Sequence, residues 1–299
     1  MNSKTSAKLQ MILSMFIFGT IGIFVRYIPL PSGAIAAVRG VVGTLFLILF
    51  MAITRKKINF SDIRSKALLL FVSGAAIGVN WILLFEAYRY TSVSKATLCY
   101  YLAPVFVMLA SPFLLKERLT VKKTLCIATA LMGMVFVSGV FEGGENGSFE
   151  LLGILLGVLA AMVYASVVLM NKKLGDIGAY DRTVVQLGSA AVVVIPYSLI
   201  AENITFDAIS PLAIILIIVV GIVHTGIAYA LYFGAMKNLP AQSIAIYSYI
   251  DPIVAIILST IILPEKMSVF GIVGAVMILA STFVCEVSFK RNRENKNDE

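Results

Sequence analysis

Ten apolar runs divide the chain, and this pattern constrains the fold more than any other feature of the sequence. A helix needs about 20 mostly apolar residues to cross the hydrocarbon core of a bilayer. Backbone polar groups inside the bilayer must be satisfied within their own segment, which favours helices. The sequence therefore predicts an all-α membrane protein with ten transmembrane helices, near residues 9–25, 32–54, 67–88, 93–115, 125–141, 151–170, 183–200, 211–232, 241–262 and 267–287.

The composition supports a membrane protein and excludes several other classes. Hydrophobic residues make up 60% and charged residues 13% of the 299 positions, against about 45–50% and about 25% in soluble domains. Such a chain would leave large apolar areas exposed to water. A soluble enzyme, a disordered chain and a nucleic-acid-binding protein are therefore excluded. Cys99, Cys126 and Cys285 lie within apolar runs and predict no disulfide framework.

The basic residues predict the orientation of the spans. Cytoplasmic segments of membrane proteins carry an excess of Lys and Arg. With the N-terminus inside, most of the 24 Lys and Arg residues fall on the cytoplasmic side, Arg39 lies within a span, and Arg26, Arg89, Lys95 and Lys266 fall outside. The sequence predicts a multi-pass protein of the plasma (inner) membrane with both termini cytoplasmic. The net charge of +8 mostly reflects this topology.

The second half of the sequence repeats the first. One alignment of the third and fourth spans with the eighth and ninth pairs Gly78 with Gly226, Tyr101 with Tyr249, Pro104 with Pro252, and Glu117 with Glu265. Each half holds five spans, an odd number, so the two copies must have opposite orientations. This pattern is typical of transporters with inverted repeats, whose substrate site lies near the midplane; a duplication kept only for folding is the alternative. We expect the two repeats at residues 1–145 and 146–299.

Three sequence segments resemble the EamA branch of the drug/metabolite transporter superfamily. The second span contains AAVRG, the first half contains FEAYRYTSVSKATLCYYLAPVFVMLASPFLLKERLT, and the second half contains YFGAMKNLPAQSIAIYSYIDPIVAIILSTIILPEKMS. The resemblance covers nearly the whole chain and identifies the family better than the substrate. It implies two inverted five-helix repeats around a central cavity. It also implies movement of small metabolites, often export of amino acids or related compounds.

Two charged side chains within the spans are candidates to line this cavity. A charge at the bilayer centre costs about 2.5–3.5 kcal/mol, and such residues usually carry function. Arg39 lies about two turns into the second span, where cavity lining or a structural pairing role is expected, and its repeat counterpart is Gln186. Glu86 lies near the outer end of the third span. It either lines the cavity or belongs to a structural ion pair that reaches towards the headgroups.

Asp251 and His224 are candidates for proton coupling. Asp251 lies midway along the ninth span beside Pro252, where a helix loses a hydrogen bond, and Ala103 takes the matching position before Pro104. We expect helix breaks at both prolines. A locally satisfied structural aspartate is the alternative for Asp251. His224 is the one histidine of the chain. An ordinary histidine pKa of about 6.5 suits proton coupling, and an interhelical hydrogen bond explains the residue equally well.

Aromatic and polar residues at middle depth complete the predicted cavity. Asn80 and Trp81 lie in the third span, and Tyr229 matches Trp81 in the repeat. Among the tyrosines that precede the two prolines, Tyr101 and Tyr249 are favoured, because adjacent residues point about 100° apart on a helix and cannot all face one cavity. Their rings provide walls for an amphipathic or cationic ligand. With a single histidine and no thiolate cluster, we expect no metal site and no other cofactor.

These features predict a secondary active transporter of small organic metabolites such as amino acids, working by alternating access. Export is favoured by the resemblance alone, and the cycle is expected to be proton-coupled or an exchange. A passive facilitator or channel and a non-transporting membrane subunit are the alternatives. An enzyme is not expected, because the sequence lacks clustered acidic ligands and a nucleophile with a base. The expected partners are a small-molecule substrate and the lipid bilayer, without nucleic acid.

Overall fold

The computed structural model describes residues 3–56, 58–114, 120–139, 148–175, 177–204, 210–236, 238–239, 241–263 and 265–297. Within these residues it forms fourteen α-helices, one π-helical segment and no strands, which confirms the all-α class. The helices are α1 (Ser3–Arg26), α2 (Ser32–Ile53), α3 (Phe60–Ser65), α4 (Ala67–Tyr90), α5 (Val93–Tyr100), α6 (Ala103–Leu114), α7 (Val121–Val137), α8 (Ser148–Leu174), α9 (Ala179–Ala201), α10 (Pro211–Val219), α11 (Ala228–Met236), α12 (Ala241–Ser248), α13 (Ile250–Ile262) and α14 (Val269–Asn297). The π-helical segment Val220–Ile227 joins α10 to α11.

Seven helical segments of the described chain are long and apolar enough to cross a membrane. They are Thr5–Arg26, Ser32–Ile53, Ala67–Tyr90, Val93–Leu114, Phe149–Leu174, Ala179–Ala201 and Pro211–Met236, and they match the first four predicted spans and the sixth to eighth. The shorter apolar helices Ile246–Ile262 and Val269–Val284 lie in the ninth and tenth predicted spans, and α7 lies in the fifth. Glu117 and the expected repeat boundary between residues 145 and 146 lie outside the described residues.

Two of the predicted spans are interrupted shortly before a proline. α5 ends at Tyr100 and α12 ends at Ser248, four residues before Pro104 and Pro252 respectively. A proline has no backbone N–H, and its ring collides with the carbonyl group four residues earlier. A regular helix therefore stops at that carbonyl. α6 and α13 then begin with the proline in their first turn, where a missing N–H is tolerated.

Helices of the second half run opposite to their counterparts in the first half. Glu202 follows α9 and accepts hydrogen bonds from two backbone N–H groups at the start of α2, at 2.7 and 2.9 Å. Glu265 follows α13 and accepts hydrogen bonds from the first two backbone N–H groups of α5, at 2.9 and 3.3 Å. α1 ends on this same side of the bundle, where Arg26 donates to a carbonyl of α4. α8 begins there, with Glu150 paired to Lys95 of α5 at 2.7 Å.

The remaining contacts follow the same twofold pattern. α4 packs against α8 and α9 of the second half, and the segment from α10 to α11 packs against α1 and α2 of the first half. α7 and α14 pack against each other. They are antiparallel, because Gly133 contacts Gly274 whereas Phe136, about one turn later, stacks on the earlier Phe270 at 6.0 Å. The helices α2, α4, α9 and the π-helical segment thus meet in the middle of the bundle, with two helices from each half.

Candidate functional site

Arg39 of α2 lies in the middle of the bundle, where it contacts α4 and the π-helical segment. Only 6% of its surface is exposed. Its Nε donates a hydrogen bond to Thr225 Oγ1 at 2.8 Å, and its guanidinium carbon lies 4.3 Å from the centre of the Trp81 ring and 5.7 Å from that of Phe85. Cation–π contacts of this kind stabilise a guanidinium group that has been removed from water. Arg39 therefore connects the halves, because Thr225 belongs to the second and the aromatic rings to the first.

Asp251 and Tyr101 form a second contact between the halves, at the two helix breaks. The Tyr101 hydroxyl donates a hydrogen bond to Asp251 Oδ2 at 2.8 Å and lies 3.4 Å from the carbonyl oxygen of Ser248. That carbonyl lies four residues before Pro252, so the proline deprives it of its helical hydrogen bond. The helix breaks thus bring a carboxylate, a freed carbonyl group and a phenolic hydroxyl together.

The sequence of α13 turns Asp251 towards the protein interior. At about 100° per residue, Ile253 and Ile257 point about 120–160° away from Asp251, and Ala255 points about 40° away. Both isoleucines are exposed, as expected for a face in contact with lipid, whereas Ala255 is buried. Asp251 and Tyr101 themselves are only partly buried. Asp251 therefore lies on the face of α13 opposite to the two exposed isoleucines, where it meets Tyr101 of the first half.

Three more tyrosines lie near Arg39. Tyr88, Tyr100 and Tyr229, together with Asp251, lie within electrostatic range of the Arg39 guanidinium. The Tyr229 ring packs against rings of α1 and α11 at 5.3 and 5.7 Å. The Tyr100 ring packs against its neighbour in sequence at 6.2 Å and against a ring of α8 at 5.4 Å. Arg39 and Asp251 are both described and form no direct ion pair, so two opposite charges lie within electrostatic range of each other without direct contact.

The central site comprises a small set of residues from both halves: Arg39, Trp81, Phe85, Tyr101, Thr225, Tyr229 and Asp251. In the described part of the chain, no three His, Cys, Asp or Glu side chains are grouped as metal ligands would be.

His224 lies next to Thr225 in the π-helical segment and is 1% exposed. Its Nε2 lies 2.8 Å from Thr20 Oγ1 of α1, and its ring packs edge-on against Phe24 at 4.7 Å. The histidine therefore makes an interhelical hydrogen bond. A role in proton coupling stays a prediction.

Asn80 and Gln186 lie at helix packing interfaces outside the central site. Asn80 Nδ2 donates a hydrogen bond to the carbonyl oxygen of Ala160 in α8 at 2.7 Å. Gln186 Nε2 donates to Ser73 Oγ and to Asn171 Oδ1, each at 2.7 Å. The amide nitrogens of both residues thus donate to other helices, and neither side chain forms a described hydrogen bond with Arg39.

Glu86 and Tyr249 are also placed away from the central site. Glu86 Oε2 accepts a hydrogen bond from Ser32 Oγ at 2.5 Å and pairs with Arg89 at 3.4 Å, at the end of the bundle where α4 finishes. The Tyr249 ring packs edge-on against Phe283 of α14 at 5.3 Å. Glu86 thus takes part in a structural ion pair, and the ring of Tyr249 contacts α14.

Thr225 and Phe85 belong to the central site, although sequence reasoning did not select them as site residues. A signal for Thr225 was present in the spacing of glycines: Gly74 and Gly78 are four positions apart, whereas their counterparts Gly221 and Gly226 are five apart. Phe85 gave no signal in the sequence, because its contact with Arg39 depends on which face of α4 it occupies.

Comparison with known proteins supports the pattern of two halves. Residues 5–139 and 151–286 each match the EamA-like transporter family. The uncharacterized transporter YxxF of Bacillus subtilis (strain 168) is 34% identical over 283 residues, which are 93% of this chain and 88% of that protein. An uncharacterized transporter of Archaeoglobus fulgidus is 24% identical over 277 residues, covering 91% of this chain and 93% of that one. Protein PecM of Dickeya dadantii (strain 3937) is 24% identical over 221 residues, 73% of each chain.

A protein of known crystal structure has the same fold. It superposes with a TM-score of 0.65 at 19% sequence identity, over 96% of this chain and 98% of that chain. The family match covers nearly the whole sequence in two consecutive blocks, and the similar proteins from Bacillus and Archaeoglobus are named as transporters. Together with the apolar helices, these matches indicate a multi-pass membrane transporter, and the chain belongs to the EamA-like transporter family.

Proposed function

We propose that the protein is a secondary active transporter that moves small zwitterionic metabolites, such as amino acids, by alternating access. One observation carries the proposal: Arg39 of the first half and Asp251 of the second lie within electrostatic range of each other, beside several tyrosines, and do not form an ion pair. Separated charges of opposite sign suit a molecule that carries both signs. Export is the direction that the family resemblance favours.

The proposed topology has ten spans in two inverted repeats, residues 1–145 and 146–299. Besides the seven long apolar segments, α7, the pair α12–α13 and α14 supply the other three spans. The antiparallel arrangement of counterpart helices supports this topology, since two halves of five spans must be inserted in opposite senses. The distribution of basic residues supports cytoplasmic termini in a plasma (inner) membrane.

Arg39 is suited to bind the carboxylate of the substrate. Thr225 engages its Nε and Trp81 covers one face of its guanidinium, while no described residue forms a hydrogen bond with its two terminal nitrogens. The terminal nitrogens of an arginine match a carboxylate in bidentate geometry.

Asp251 is suited to bind either the ammonium group of the substrate or a proton. Tyr101 holds one carboxylate oxygen with a hydrogen bond of 2.8 Å. A proton that binds Asp251 removes the charge that attracts the ammonium group, so proton binding and substrate binding compete. This competition provides proton coupling; in an exchange cycle, a second substrate molecule takes the place of the proton. His224, which is hydrogen-bonded to Thr20, is the second candidate for a proton-binding group.

Ligand-induced thermal stabilisation of the purified protein tests the proposed substrate class. The probes are L-leucine, L-phenylalanine, L-phenylalaninol, which lacks the carboxylate, and 3-phenylpropionate, which lacks the amine. A bound ligand stabilises the fold by about 2.7 kcal/mol when it is present at about 100 times its Kd. We expect stabilisation by at least one amino acid and by neither analogue, since each analogue leaves one buried charge without a partner.

The matched variants are Arg39→Gln at the central site and Arg89→Gln at the end of α4, where the arginine side chain is 57% exposed. We expect Arg39→Gln to abolish the stabilisation and Arg89→Gln to preserve it. Equal stabilisation by an amino acid and by both analogues would contradict the proposed site, as would the absence of stabilisation by every amino acid.

A further inference from the structure

The π-helical segment accommodates one extra residue in the second half of the protein. Two pairs of glycines, Gly74 with Gly78 and Gly221 with Gly226, each allow a helix to approach a helix of the other half closely. Their contacts include Gly74 with Gln186, Gly78 with Val194 and Ala190, Gly221 with Val42, and Gly226 with Phe46. Gln186 and Ala190 are four positions apart, as are Val42 and Phe46, but Gly221 and Gly226 are five apart. A π turn holds one more residue than an α turn, so the segment Val220–Ile227 keeps both glycine contacts despite the insertion.

The insertion changes which side chains are buried beside α2. Between Gly74 and Gly78, the first half has only Ala75, Ala76 and Ile77. The longer stretch of the second half instead buries His224 and Thr225, with 1% and 0% of their surfaces exposed. The asymmetry between the halves therefore places two polar side chains in the middle of the bundle, and one of them contacts Arg39.

The geometry of Thr225 fixes the direction of its hydroxyl group. Thr225 Oγ1 donates a hydrogen bond to the carbonyl oxygen of Val220, five residues earlier, at 3.2 Å. A hydroxyl group has one hydrogen, so the oxygen is left as an acceptor for Arg39 Nε at 2.8 Å. The five-residue spacing of the first hydrogen bond is a consequence of the π turn. The insertion thus sets the orientation of the acceptor that holds Arg39.

We propose that the π-helical insertion is a positioning device for Arg39, with Thr225 as the positioning residue. Thr225 holds Nε and Trp81 covers one face of the guanidinium, so the terminal nitrogens are held in one direction and kept from pairing with Asp251. If Thr225 releases Nε, the guanidinium is drawn towards the Asp251 carboxylate, which removes the separation of charges. The orientation of Arg39 is inferred from geometry alone. That Arg39 binds a substrate carboxylate rests on the proposed function.

Trp81 provides a direct readout of the position of Arg39. It is the one tryptophan of the chain, and the guanidinium carbon lies 4.3 Å from its ring. The intrinsic fluorescence of the substrate-free protein therefore reports a single environment. In Thr225→Val the side chain keeps its shape but cannot accept a hydrogen bond. We expect its emission to move from the wild-type spectrum towards that of Arg39→Gln, whereas Thr225→Ser, which keeps the hydroxyl, retains the wild-type spectrum.

Thr282→Val is the matched control for loss of a buried hydroxyl. Thr282 is 1% exposed in α14 and donates to the carbonyl oxygen of Ile278 at 2.7 Å, so this variant loses a similar hydrogen bond far along the chain from Arg39. We expect its emission to match the wild type. Overlapping spectra of Thr225→Val and the wild type would overturn the positioning role, and so would a shift of equal size in Thr282→Val. The fluorescence comparison does not require the protein to transport a substrate.

A transport measurement separates positioning from overall damage. For L-phenylalanine in proteoliposomes, we expect Thr225→Val to raise KM about tenfold with little change in maximal rate, because a misdirected guanidinium loses a charge-assisted contact. Thr225→Ser is expected to restore the wild-type KM. A fall in maximal rate with unchanged KM would contradict the positioning role. If the wild type does not move L-phenylalanine, the proposed substrate class is in question, and the fluorescence comparison still decides the role of Thr225.

Discussion

At the scale of single residues, Asp251 is held by its surroundings without being neutralised by them. Tyr101 donates a hydrogen bond of 2.8 Å to one carboxylate oxygen. Arg39 lies within electrostatic range but does not form a direct ion pair. A carboxylate in the interior of a membrane protein is costly to keep charged without a close partner. A proton or an ammonium group that binds there removes that cost, which suits a group that must bind and release in each cycle.

Asp251→Asn is expected to separate the charge of this residue from its shape. The amide can still accept the hydrogen bond from Tyr101 but attracts neither a proton nor an ammonium group. We expect the rate of L-phenylalanine transport in proteoliposomes to fall about tenfold or more, as for loss of a hydrogen bond to a charged group. The dependence of the rate on pH should also flatten, because the amide cannot bind a proton.

Tyr101→Phe is the control for this prediction, because it keeps the carboxylate and removes one hydrogen bond. We expect a reduction of about fivefold with the pH dependence retained. Unchanged pH dependence in Asp251→Asn would show that Asp251 does not carry the proton.

The depth of a residue in the membrane could be predicted from the sequence, but the face of the helix that it occupies could not. Asn80 and Trp81 are neighbours at similar depth, yet Trp81 packs under Arg39 whereas Asn80 donates to a carbonyl of α8. Gln186 is the repeat counterpart of Arg39 and instead bonds with residues of α4 and α8. Which face turns inward depends on packing between helices distant in sequence, and a single span does not reveal it.

At the scale of helices, glycine contacts decide how closely the halves approach. A Cβ atom at Gly74 of α4 would lie 2.5 Å from the backbone oxygen of Gln186 in α9 and 2.6 Å from Ser189 Cβ. Neither atom is the end of a flexible side chain, so the helices would have to separate. Gly188 in α9 differs, because its Cβ would meet only Thr44 Cγ2, at 3.8 Å.

Gly74→Ala and Gly188→Ala are therefore expected to have opposite effects on stability. We expect Gly74→Ala to lower the free energy of unfolding by about 1–3 kcal/mol, the usual cost of overpacking. Gly188→Ala should be neutral or stabilising by up to about 1 kcal/mol, because alanine is the better helix former. Thermal unfolding midpoints of the two variants in the same detergent check this prediction. Equal destabilisation by both would show that the contact between α4 and α9 is not tight.

The breaks in the helices follow from single residues, whereas the π-helical segment does not. Each break begins at the carbonyl four residues before Pro104 or Pro252, and this stereochemistry is local. The π turn instead reconciles the contacts of Gly221 and Gly226 with a partner helix, α2, whose contacted residues are spaced differently. The five-residue spacing of the glycines indicates an extra residue, but only the packing of the helices shows that a π turn accommodates it.

At the scale of the whole molecule, counterpart helices of the two halves run antiparallel, and the π-helical insertion in the second half is a departure from this symmetry. The repeat of apolar runs predicts the pattern of pairing, because counterpart helices must satisfy the same contacts. It does not predict the π-helical insertion or the contact of Thr225 with Arg39, since these break the symmetry. Because Ser32 at the start of α2 bonds to Glu86 near the end of α4, Arg89 of α4 and Arg55, which follows α2, lie at opposite ends of the bundle.

Labelling of introduced cysteines tests the orientation of the whole molecule. In a background without Cys99, Cys126 and Cys285, we expect a membrane-impermeant maleimide to label Arg89→Cys in intact cells. Arg55→Cys should be labelled only after the membrane is permeabilised, because its loop is rich in basic residues and is expected in the cytoplasm. Both arginines are exposed, so a failure to react would reflect membrane sidedness rather than burial. The reverse pattern would show that the termini lie outside.

Counterflow in proteoliposomes is the most direct test of the central claim, that opposite charges from the two halves form one alternating-access site. Liposomes are loaded with unlabelled L-phenylalanine, or with the amino acid that gives the largest thermal stabilisation, and labelled tracer is added outside. We predict a transient accumulation of tracer above its equilibrium level, present in the wild type and in Arg89→Gln and lost in Arg39→Gln. Tracer that only equilibrates, at a rate independent of the internal amino acid, would contradict this account and indicate a passive pathway.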